Sequence, residues 1–187
     1  MQRTLILAFM LTAGCMRAPD KGTAIGNPGV LALTLADGES GVEFVSGTAT
    51  ATEIALIGGE TTDVLGTDVG LDLMGTTFQP ELGDWASLTI TFNGGVTLAT
   101  ATLERTIAVD GIDVVGAFST ESALLLEFGG TDWLKQNAWE TGPDSEVEQA
   151  LLHATALYVD ANADGVLDDD EATAVACGSC GDTGESR

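Results

Sequence analysis

The chain has 187 residues and carries six Lys and Arg against 29 Asp and Glu, a formal charge of −23. With 44% hydrophobic residues and a mean hydropathy of +0.23, it has the apolar surface to build a core, which a disordered acidic tail lacks. The acid excess excludes nucleic acid as a partner and disfavours a bare anionic membrane surface, because both require basic groups.

The chain opens with Arg3 and a short apolar run through Leu5, Ile6, Leu7, Phe9, Met10 and Leu11. That run is shorter than the ~20 apolar residues a spanning helix needs, and it fits a secretory signal over residues 1–14. The sequence that follows, Leu11-Thr12-Ala13-Gly14-Cys15, resembles the bacterial lipobox, with Thr12 where leucine is usual. The resemblance implies diacylation of Cys15, which becomes the mature N-terminus and is inserted in a membrane. Met16 stands where retention in the inner membrane would call for Asp, so the implied address is the outer membrane or the cell surface. Residues 15–29, with two prolines and three glycines, read as a tether.

Residues 30–130 read as an antiparallel β-sandwich, giving a mainly β fold. Leu31, Leu33 and Leu35 alternate before the turn signal Asp37-Gly38. The run 48–57 is rich in β-branched residues and stops at Gly58-Gly59. From Trp85 to Phe92, Ala86, Leu88, Ile90 and Phe92 share one face, and Asn93-Gly94 predicts a hairpin. Further strands are expected near 96–109, 112–118 and 122–128, the last apolar on both faces and therefore central.

Residues 131–143 form a transition containing Trp133 and Trp139. Over 144–180 the period turns helical: Val147, Ala150, Leu151, Ala154 and Tyr158 predict a helix over 145–158, with Ser145 and Glu148 as a capping box. Residues 181–187 are a polar tail.

The helix leads into Asp-Ala-Asn-Ala-Asp-Gly-Val-Leu-Asp-Asp-Asp-Glu, residues 160–171. This segment resembles the twelve-residue calcium loop of the EF-hand family. On that resemblance Asp160, Asn162 and Asp164 offer side-chain oxygens, Val166 its carbonyl, Asp168 a direct or water-mediated contact, and Glu171 both carboxylate oxygens. Gly165 stands where the chain must turn sharply. The implied cofactor is Ca²⁺, preferred over Mg²⁺ because the oxygen set is large and flexible. No second loop is present in the sequence, and 171–176 leave room for only a short exit helix, so the resemblance implies a structural clip and not a sensor.

Cys177 and Cys180 read as a small disulfide in an exported protein, with free thiols and redox or metal chemistry as the other readings. His153, the single histidine, falls on the polar side of the helix, and no catalytic constellation assembles around it. The expectation is therefore a calcium-binding, lipid-anchored envelope protein with a structural or adhesive role and no enzymatic activity, its partner an envelope protein or glycan. A carbohydrate-binding module would instead need Trp133 and Trp139 exposed together on one face, and an envelope enzyme would need a polar cleft at His153.

Overall fold

A computed structural model describes residues 28–130, 132–168, 171 and 173–178. The expected signal, Cys15, the expected tether up to residue 27, Cys180 and the 181–187 tail lie outside the described residues.

The chain is mainly β with helices near its C-terminus. In order come β1 (Leu31–Leu35), β2 (Phe44–Gly58), β3 (Thr61–Asp72), β4 (Thr77–Phe78), β5 (Asp84–Thr100), β6 (Glu104–Ile107), β7 (Gly111–Ser119) and β8 (Leu124–Phe128). Helices α1 (Gln136–Thr141) and α2 (Asp144–Ala154) follow, then β9 (Ala156–Val159) and β10 (Ala174–Cys177).

The sandwich expected from the hairpin signals is drawn as one mixed sheet, ordered β3-β2-β5-β7-β10-β9-β8-β1-β4, with β6 paired to β5. Most pairs are antiparallel, but β1 lies parallel to β8 from Leu31↔Leu124 to Leu35↔Phe128. The physical reason is the length of β2 and β5. Their register shifts bend them around the core, so one sheet encloses what two would otherwise cover. The ends of the path approach each other: the Glu81 N–H donates to Asp63 Oδ2 at 2.7 Å, and Phe78 of β4 stands beside Gly66 of β3. The result is nearly a barrel.

Asn93-Gly94 is not a hairpin. β5 runs through it, and three residues, Asn93 to Gly95, oppose Thr50 alone between Ala51↔Phe92 and Ala49↔Val96. At this bulge β5 exchanges its partner β7 (Thr91↔Gly111) for β6 (Val96↔Ile107). Gly94 and Gly95 have φ of +85° and +94°, and a Cβ on Gly95 would overlap the carbonyl oxygen of Ile107. The turn chemistry is real, but it makes a corner in a continuing strand.

The alternation expected of β1 and β5 holds at its centre: Leu31, Leu33, Leu35, Leu88, Ile90 and Phe92 are all buried. Each such side chain contributes about 1.5–3 kcal/mol by leaving water. Ala86 is exposed and Trp85 is buried in its place, because the pairing with β7 shifts register between Trp85 and Ser87.

Helix α2 ends at Ala154, four residues before the expected end, and its N-cap is Pro143 with no side-chain cap bond, so the Ser145–Glu148 capping box does not form. Tyr158 satisfies a helical period, yet it lies in β9 opposite Leu125 of β8. Sheet pairing on both sides of β9 outweighs the helical spacing.

Phe44 joins helices and sheet: it stacks on Trp133 at 5.8 Å and meets Trp139 edge-on at 5.2 Å. Arg105 of β6 donates to the carbonyl oxygens of Ala138, Trp139 and Gly142, and its guanidinium pairs with Asp144. It thus neutralises the C-terminal end of α1 and holds the start of α2.

Candidate metal loop

β9 stops at Val159, and the next backbone N–H, of Asp160, donates to the Ala123 carbonyl at 3.0 Å. The loop therefore starts from a point fixed against the residue before β8. It ends at β10, the antiparallel neighbour of β9, with Ala176↔Leu157 and Cys177↔Ala156. The EF-hand-like segment is thus held between two strands and not between two helices. The short exit helix does not form, because Ala174–Cys177 pairs as a strand.

Within the loop, spacing becomes geometry. Asp160, only 3% exposed, accepts the Gly165 N–H through Oδ2 at 2.9 Å and the Asp164 N–H through Oδ1 at 3.3 Å. Gly165 has φ of +77° with open space where a Cβ would stand, so it is the backbone and not crowding that selects glycine. Asp164 Oδ1 in turn accepts the Val166 N–H at 2.9 Å.

Glu171, 8% exposed, reaches back across the loop. Its Oε1 accepts the N–H groups of Ala161 at 2.6 Å and Asn162 at 3.3 Å, and Oε2 that of Asp168 at 3.4 Å. The first and last acids of the motif are thereby buried at the same mouth. Asn162 lies between the others: Oδ1 accepts the Asp164 N–H at 3.0 Å, and Nδ2 donates to Asp164 Oδ2 at 3.1 Å and Asp168 Oδ2 at 3.0 Å.

This network brings Asp160, Asn162, Asp164, Asp168 and Glu171 together, while the Val166 side chain points to solvent. Their oxygens are engaged chiefly by backbone N–H groups. Among the described residues, no group of three or more His, Cys, Asp or Glu side chains is gathered around a common centre as a metal cluster. The donor chemistry nevertheless fits a hard cation, being all carboxylate, amide and carbonyl oxygen. The Asn162 amide nitrogen sits between two carboxylates, and turning the amide over would present Oδ1 there instead.

Charge sharpens the fit. Residues 160–171 hold six carboxylates and no Lys or Arg. Of the chain's Lys and Arg, Arg105 and Lys135 alone fall among the described residues, and Arg105 is committed to the helices. Two of the acids are buried, and backbone dipoles supply partial positive charge but no counter-ion.

The other predicted residues are placed as follows. Cys177 is disulfide-bonded, and its expected partner Cys180 lies outside the described residues. His153 is exposed in the last turn of α2. Trp85 and Trp139 are buried and Trp133 half-buried, its Nε1 donating to the Ala36 carbonyl at 2.9 Å, so no tryptophan pair forms an exposed stacking face.

Glu127 was not singled out in the sequence. It is half-buried on β8, where burial pushes its carboxyl above the ordinary range, and Tyr158 is raised by its own burial and by Glu127. A lone acid inside Leu124–Phe128 was the available signal. A groove of about 500 Å³ opens at the bulge, lined by Thr48, Thr50, Asp72, Asn93 and Thr97 with glycine backbone. No helix among the described residues is long and apolar enough to cross a membrane. No protein family, curated protein or solved structure matches the chain.

Proposed function

We propose that this is an exported envelope protein, anchored by lipid on Cys15, whose 160–171 loop binds one Ca²⁺ and thereby fixes the C-terminal hairpin onto the sheet. The observation that carries the reading is the closure of the loop on itself. Asp160 and Glu171, eleven positions apart, are both buried and both accept N–H groups from the loop's first half. The Asn162 amide nitrogen donates to both Asp164 and Asp168, which brings these three side chains together at the same loop.

The mechanism is mass action. Acids crowded without an internal cation repel one another, and an ion that binds only the folded loop adds RT ln(1 + [L]/Kd) to stability. Single extracytoplasmic calcium modules work at Kd of about 10⁻⁴–10⁻³ M. The role is structural or adhesive, toward an envelope protein or glycan. Acyl chains on Cys15 would hold the domain at the membrane, each buried methylene contributing about 0.8 kcal/mol.

Calorimetric titration of the folded chain with CaCl₂ tests the loop, with expected saturable heat and a raised melting temperature at millimolar calcium and a smaller effect of MgCl₂. No heat and no melting shift would overturn the calcium reading. Cys15→Ser moving the protein from the membrane to the soluble fraction tests the anchor, and an unchanged membrane fraction would overturn it.

A further inference from the structure

We propose that the groove at the β5 bulge is a binding site for a neutral, hydroxyl-rich ligand, a segment of glycan. The groove is built across β3, β2 and β5. Thr48 and Thr50 of β2 are exposed on the outer face of the sheet. Opposite them on β3 stand Asp72 and Gly70, and on β5 Thr97 and the bulge residues Asn93 to Gly95. Together they line about 500 Å³, a volume suited to a small ligand.

The side chains around the groove hold hydrogen-bonding capacity that the fold leaves unused. Among the described residues, the side chains of Thr48, Thr50 and Asn93 make no hydrogen bond. Asp72 commits Oδ1 to the Met74 N–H at 3.0 Å, which leaves Oδ2 as an acceptor. Thr97 shares one hydrogen bond with Thr106 at 2.9 Å and keeps a lone pair. Hydroxyls and the Asn93 amide both donate and accept, and the carboxylate accepts. Vicinal hydroxyls of a sugar ring, which also donate and accept, match such a set.

The floor lacks a side chain where a strand would carry one. A Cβ on Gly70, directly opposite Thr50, would meet nothing within 4 Å. Gly70 is not among the residues of positive φ, so neither backbone conformation nor crowding calls for glycine there. A glycine of this kind weakens the strand and admits a close approach to its backbone from outside. Gly94, in the bulge, likewise has open space where a Cβ would stand. The two gaps face Thr50 from either side.

Other ligand classes match the groove less well. It has no aromatic ring and no exposed large apolar side chain, so a lipid chain or an apolar helix finds little to bury against. β2 and β5 are paired on both sides, so an extended peptide cannot add to them as a strand. A phosphate or a uronate would meet Asp72 and no Lys or Arg.

Backbone amide chemical shifts of the intact chain, recorded while cellotriose, maltotriose or triacetylchitotriose is added to millimolar concentration, test the proposal. EDTA throughout keeps the result apart from the calcium reading. We expect at least one sugar to shift the amides of 48–50, 70–72 and 93–97 saturably and to leave those of 160–168 in place. Asn93→Ala and Thr50→Val, at exposed side chains with no partner to lose, should each weaken that binding about threefold to tenfold. Gly70→Phe places a ring in the groove from an open strand position, and should abolish binding with the circular dichroism spectrum unchanged. No saturable shift with any of the three sugars would overturn the proposal, as would shifts confined to other parts of the surface. Full binding by Gly70→Phe would also overturn it. Trilysine moving the same amides at equal or lower concentration would assign the groove to a basic peptide and overturn the glycan.

Discussion

Replacing Glu171 separates what its carboxylate does for the bare loop from what it does for a cation. In EDTA, Glu171→Ala leaves the Ala161 N–H, now bonded at 2.6 Å, without its acceptor inside a part-buried turn. An orphaned donor of that kind costs about 1–3 kcal/mol. Glu171→Gln keeps an oxygen for Ala161 and removes one charge from a crowded acidic loop, so its stability in EDTA should stay within about 1 kcal/mol of the parent. With ~10 mM CaCl₂ and a Kd of about 10⁻⁴–10⁻³ M, the parent gains about 1.4–2.7 kcal/mol. For a domain of this size that is roughly 3–10 °C of melting temperature. Both variants should lose that shift, alanine because no ligand remains and glutamine because one neutral oxygen replaces a bidentate carboxylate. Thermal unfolding followed by circular dichroism, in EDTA and in calcium, reads both quantities. A Glu171→Gln chain that retained the full calcium shift would refute the reasoning.

Three other perturbations probe the scaffold. Gly95→Ala should cost about 3 kcal/mol or more in urea unfolding, because it forces a side chain onto the Ile107 carbonyl at positive φ; Gly94→Ala, with open space around it, should cost only about 1–2 kcal/mol. Equal losses would mean that the bulge does not press on β6. Arg105→Lys keeps the charge but cannot reach the carbonyls of Ala138, Trp139 and Gly142 together with Asp144, and should cost about 2 kcal/mol; a loss below about 0.5 kcal/mol would remove the clamp from the account. Glu127 binds its proton more tightly folded than unfolded, so its contribution to stability falls as pH rises from about 4.5 through its raised folded value. Glu127→Gln should lack that slope and gain on the parent between pH 4 and 7, whereas parallel stability–pH curves would contradict the assigned burial effect.

What the sequence discloses here is whatever is local. The alternating leucines of β1 and the central stretch of β5 are legible because burial repeats every second residue. β3 is not legible: Thr61–Asp72 contains three aspartates and two glycines, poor strand formers, and of its residues only Leu71 is buried. It is a strand because β2 pairs with it from Gly58↔Thr61 back to Thr48↔Asp72. At Asn93-Gly94 the left-handed backbone is legible but not whether the chain reverses there, since hairpins and bulges use the same residues. In the loop, the spacing of the acids that close on one another is legible over 160–171, yet Ala174–Cys177 carries no strand signal, and its place between β7 and β9 depends on partners some 20–60 residues away.

The loop runs directly into β10, and this couples a cation in the loop to the docking of that strand. β10 begins just beyond Glu171 and ends at Cys177. A cation held by the loop requires Glu171 near Ala161, hence β10 beside β9. By linkage, whatever releases β10 lowers the apparent affinity of the loop by the fraction of time the strand stays docked. Gly116→Val would set a side chain against the Val175 carbonyl and Ala176, and if β10 is then docked about one-tenth of the time, calcium binds about tenfold more weakly. Conversely, calcium added to that variant should restore hydrogen-exchange protection in both Ala174–Cys177 and Gly111–Ser119. Titrating the parent and Gly116→Val forms with CaCl₂ while following exchange measures both sides of the coupling. Identical affinities in the two forms would show that the loop holds its geometry without β10, and would separate the cation from the closure of the sheet.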